Sequence, residues 1–164
     1  MSLKSAVEEW SKKRLPELVK SYHDLGLRAS GKWAASLEGN TTQENNTIKT
    51  VILGEQYTGA LVGGRKPTSA YGPYQKNDFT LREAIAIWIR QKGITPDDGI
   101  SKDSLAFLIA RKIHREGIRV PNEHNSGKLI SNVFTDKAIN ELGEVVKKEL
   151  GNVVSTEVMK GLKE

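Results

Sequence analysis

From Thr135 onward the apolar residues keep a helical rhythm. Ala138, Ile139, Leu142, Val145, Val146, Leu150, Val153, Val154 and Val158 recur every three or four positions, the spacing that gathers side chains on one side of an α-helix. Gly143 and Gly151 weaken the pattern locally without ending it. A helix of this length with an apolar stripe must bury that stripe against another layer. The same rhythm opens the chain: Leu3, Val7, Trp10, Leu18, Tyr22 and Leu25 predict a helix to Gly26, its expected C-terminal stop. Pro16 falls inside it and predicts a kink, or two helices abutting near Leu15.

Between these two long helices the pattern changes. A short helical stretch from Ser30 to Leu37 presents Trp33 and Leu37 on one side. Glu38 to Thr47 is polar and aperiodic, read as a mobile loop or a polar hairpin limb. Ile48, Val51, Ile52 and Leu53 form a β-branched run ending at Gly54, the best strand candidate. Gln56 to Val62 is ambiguous, and Gly63 to Asp78 reads as a long Gly- and Pro-rich mobile loop. Thr80-Leu81-Arg82-Glu83 has capping-box spacing and opens a helix with Ala84, Ile85, Trp88 and Ile89 on its apolar face, closed by Lys92-Gly93. Thr95 to Gly99 is a turn. A further helix spans Lys102 to Glu116 with Leu105, Leu108, Ile109 and Ile113 aligned. A polar loop from Arg119 to Ser126 follows, and Leu129 to Phe134 reads as a strand. The sum is one α+β domain over residues 1–164: a small twisted, mostly antiparallel sheet flanked by helices.

Hydrophobic residues make up 37% of the 164 and charged residues 27%. That low apolar share fits either extended surface segments or helices that complete their burial against a partner. Cysteine is absent, which excludes disulfides, thiolate nucleophiles and Cys-based zinc sites. Met1-Ser2-Leu3-Lys4 leads straight into charged helical sequence, so neither a signal peptide nor a membrane span is expected.

Chemistry-bearing patterns are sparse. His23, His114 and His124 fall on different elements, without a second ligand at i+3 or i+4. Gly59 and Gly64 have phosphate-loop separation, but Arg65-Lys66-Pro67 supplies no Lys-Ser or Lys-Thr pair. Asp97-Asp98 reads as a turn former. No catalytic residue, cofactor or metal is expected, and the chain reads as a non-enzyme. The net charge of +5 and the Arg65-Lys66 loop, with Tyr71 and Tyr74 nearby and Arg82, Arg90 and Lys92 beyond, leave a basic nucleic-acid-binding module as a second class of function. Trp10 and Trp88 read as core residues, and Trp88 has a second reading as a half-buried anchor in a subunit contact.

Three segments, taken in order, resemble phage tail-completion (minor tail, head–tail joining) proteins. They are Ala29-Ser30-Gly31-Lys32-Trp33-Ala34-Ala35-Ser36-Leu37, then Tyr57 through Gly63-Gly64-Arg65-Lys66-Pro67, then Ile87-Trp88-Ile89-Arg90-Gln91-Lys92-Gly93-Ile94. The long closing helix fits the same order. Val62 stands where many members carry an acid, and Thr68 to Asp78 is a long insertion. The resemblance implies a structural virion protein in the neck, assembled in the host cytoplasm. It would form a homo-oligomeric ring joining capsid portal to tail, with viral DNA passing through without sequence-specific contact. Tail terminator and head-closure rings are the related alternatives. The candidate interface or loop contacts are Tyr57, Gly63, Gly64, Arg65, Lys66, Pro67, Tyr71, Tyr74, Trp88 and Lys92.

Overall fold

A computed structural model describes residues 2–68, 81–97 and 99–161. Among them the chain is α+β, with helices at both ends and a two-stranded antiparallel sheet between. Helix α1 spans Leu3–Asp24, α2 Lys32–Ala35, α3 Thr58–Gly63, α4 Leu81–Lys92, α5 Lys102–Glu116 and α6 Asp136–Gly161; the strands are β1 Glu38–Glu44 and β2 Thr47–Leu53. Helix α1 is the hub, packing against both strands, α2 and α6, while α4 and α5 pack on each other.

Helix α1 starts where Ser2 Oγ accepts the Ser5 N–H at 3.1 Å. It runs as one helix through Pro16, so of the expected kink or pair of helices the pair abutting near Leu15 does not form. Proline leaves the Lys12 carbonyl without its helical donor, and Lys12 and Pro16 are both on the exposed side of the helix. On the inner side Trp10, Arg14 and Leu18 are buried and hold the two halves in line. Gly26, at φ 64°, ends the helix. Its N–H donates to His23 O and that of Leu27 to Tyr22 O, the double closure of a Schellman motif.

Residues 38–47, read as a mobile loop or a polar hairpin limb, form the hairpin limb and its turn. All seven residues of β1 are matched, from Glu38 opposite Leu53 to Glu44 opposite Thr47. β1 lacks apolar alternation because most of it is exposed, and its order comes from the ladder and a Thr41–Thr50 hydroxyl contact at 2.9 Å.

Leu129 to Phe134 is a correction. It forms helical turns, with Phe134 N–H donating to Ile130 O and Asn132 N–H to Lys128 O. Leu129 and Val133 are four apart and both buried, so the apolar cluster has helical rather than strand spacing. They join Leu18, Tyr22 and Trp33 in the main core. Helix α6 then begins with Ala138 N–H donating to Thr135 Oγ1 at 3.3 Å.

The inner face of α5 is Ala106, Ala110 and Ile113; Leu108, expected there, is half-exposed. In α4 Ile89 is fully buried, Trp88 is about one third exposed and Ala84 is exposed. The capping box at Thr80 lies outside the described residues.

Candidate interaction surface

The loop expected at residues 63–78 divides in two. Residues 69–78, with Tyr71 and Tyr74, lie outside the described residues. The earlier part is clamped to the segment after α5. Arg65 N–H donates to Ile118 O at 2.8 Å and Ile118 N–H returns to Arg65 O at 2.7 Å. A glycine flanks each side of this bridge at positive φ, Gly64 at 80° and Gly117 at 74°. A Cβ on Gly64 would lie 2.1 Å from Ile118 O, and one on Gly117 2.2 Å from Arg65 O. Conformation and space both demand glycine here. Thr68 extends the clamp, its N–H donating to His114 O at 3.1 Å and its hydroxyl meeting His114 Nδ1 at 2.6 Å.

The sequence-derived candidates occupy three places. Tyr57 stands ahead of α3, part-exposed, with its phenol pKa raised, first by burial and then by the neighbouring Tyr22 and Glu55. Gly63, Gly64, Arg65, Lys66 and Pro67 belong to the clamp. Trp88 and Lys92 sit on α4, and Lys92 is committed internally, its Nζ donating to Gly26 O at 2.7 Å across the end of α1. Arg82 lies over the Phe107 ring at 5.9 Å.

Arg14 is a structural residue that sequence reasoning passed over. Its guanidinium, 9% exposed, binds both oxygens of Glu17 at 3.0 and 2.8 Å and Glu141 at 2.7 Å, and stacks 5.2 Å over Trp10. This fork ties α1 to α6. The Arg14–Glu17 spacing was visible in the sequence, whereas Glu141, 127 residues away, was not.

Two hollows flank α1. One, about 270 Å³, is apolar and lined among others by Trp10, Leu18, Trp33, Ile52 and Phe134. Its hydroxyls are engaged: Ser11 donates to Glu8 O, and Thr58 accepts from Trp33 Nε1 and donates to Glu55 O. The other is an open groove between α1 and α6 with Lys13, Arg14, Lys137, Glu141 and Glu144 along it. Among the described residues no three His, Cys, Asp or Glu side chains converge as a metal site. No described helix is long and apolar enough to cross a membrane.

Among the described residues the largest uncovered feature is the second half of α6. The last buried residue of the helix is Glu149, and positions 150–160 are exposed without exception. Leu150, Val153, Val154, Val158 and Met159 are 48–61% exposed. Leu53, Phe107 and Leu108 add further exposed apolar side chains on β2 and α5. The class this defines is a small α+β chain with an apolar helical surface left open. No family model, curated protein or solved structure matches it.

Proposed function

We propose that the chain is a structural, non-enzymatic subunit of an oligomeric ring in a phage neck, joining capsid portal to tail. The observation that carries the assembly part is α6, whose second half exposes Leu150, Val153, Val154 and Val158 with no fold-internal reason to be apolar. Ring closure needs heterologous contacts, in which different patches of adjacent copies meet. The apolar residues of α6 and those of α5 and β2 are separate patches of that kind. The neck assignment rests on the ordered resemblance of residues 29–37, 57–67 and 87–94 to tail-completion proteins.

Labelling the chain with a small epitope and imaging purified particles with a gold-conjugated antibody tests the assignment. Label at the junction of head and tail is the expected result. Particles that assemble without the chain, or salt-sensitive binding of free duplex DNA by the isolated chain, overturn it.

A further inference from the structure

On α6, at about 100° per residue, Val146, Leu150, Val154 and Val158 share one stripe. Its centre lies about a third of a turn around the axis from Ala138 and Glu149, the buried residues of the helix. Gly143 sits in the same stripe, and a Cβ there would meet nothing within 4 Å. A mid-helix glycine costs about 1 kcal/mol relative to alanine, and no contact among the described residues explains it. It gives a second helix room to approach.

The charges on and beside the stripe define which helix fits. Glu144 and Lys147 pair at 2.7 Å, and Glu157 and Lys160 pair at 2.8 Å. A parallel second copy would set Lys147 against Lys147 and Glu157 against Glu157. An antiparallel copy centred near Asn152 sets Lys147 against Glu157 twice, by symmetry. The same register brings Leu150 opposite Val154 and Val146 opposite Val158, apolar on apolar. Antiparallel macrodipoles also attract. We infer that two copies of this chain pair through the second half of α6, antiparallel and two-fold, in a register set by Lys147 and Glu157.

This goes beyond the ring reading. A two-fold contact closes at two copies, whereas a ring needs contacts that propagate. It covers the exposed valines in chains outside a particle. The overlap spans about four turns, a small contact, so pairing is reversible and concentration-dependent.

Sedimentation equilibrium of the full chain over a wide concentration range tests it. A monomer–dimer equilibrium is expected. Lys147→Glu and Glu157→Lys should each weaken the dimer about tenfold, since two facing pairs turn repulsive. The double exchange should restore it. Lys147 and Glu157 are 75% and 65% exposed, so the fold should survive, with unchanged far-ultraviolet circular dichroism as the control. A strict monomer overturns the pairing and assigns the stripe to a different partner. A dimer indifferent to both exchanges, or one that the double exchange fails to restore, overturns the register. Absence of the chain from particles would sink the neck assignment and leave this dimer intact.

Discussion

Gly64 and Gly117 show how single residues hold distant parts of this chain together. Each permits a backbone approach that a Cβ would block at 2.1 or 2.2 Å from a carbonyl oxygen. Gly117→Ala should therefore destabilise the protein by at least roughly 1–3 kcal/mol in denaturant unfolding, with Gly64→Ala similar. An equal change at Gly59, around which a Cβ would find open space, should cost nothing comparable. Arg14→Ala should cost about 1.5–3 kcal/mol, the loss of a charge-assisted fork. Tyr57 makes a prediction in pH. Its phenol pKa is raised above the usual 10, chiefly by burial, so the folded chain keeps a proton that the unfolded chain releases. Its contribution to stability is complete below pH of about 10 and is lost as pH climbs through the folded value. Phenolate absorbance should show a late-titrating component that Tyr57→Phe removes.

Among the elements, α6 is the one whose halves differ. The first half is tied to α1 through Arg14 and Glu141 and buries Ala138. The second half is exposed throughout 150–160 and carries Gly151, Val153, Val154, Thr156 and Val158, weak helix formers. Hydrogen exchange of the dilute chain should be fast from Leu150 on and slow near Ala138. Protection of the second half should rise with protein concentration, and exchange that ignores concentration would count against self-pairing. The main helices were legible because amphipathic period is local: α5 matches its expected limits of Lys102 and Glu116, and α6 starts one residue after Thr135. The Leu129–Phe134 turns were misread because a short apolar run fits either period, and only the buried positions decide. β1 was hard to read because its partner, and not its own composition, orders it.

For the whole molecule, the uncovered second half of α6 predicts an extended particle. The radius of gyration from X-ray scattering, extrapolated to zero concentration, should exceed the roughly 15 Å of a compact 164-residue domain. A value at or below that figure would contradict the open α6. Of the candidate interface, Trp88 was legible as an aromatic on an apolar helical face but was read first as core, and it is about one third exposed. Lys92 was legible only as a cation at a helix end, and its bond to Gly26 joins parts 66 residues apart. Periodicity, glycine placement and the absence of cysteine determined by themselves that this chain is α+β, with long terminal helices and no thiol chemistry. Those properties follow from interactions among residues close in sequence. Tertiary structure alone decided that Arg65 pairs with Ile118, that Arg14 reaches Glu141, and that the stripe of α6 outlasts its cover after Glu149. Whether a side chain is buried depends on which distant surface arrives, and helical spacing is the same for a face that is covered and one that waits for a partner.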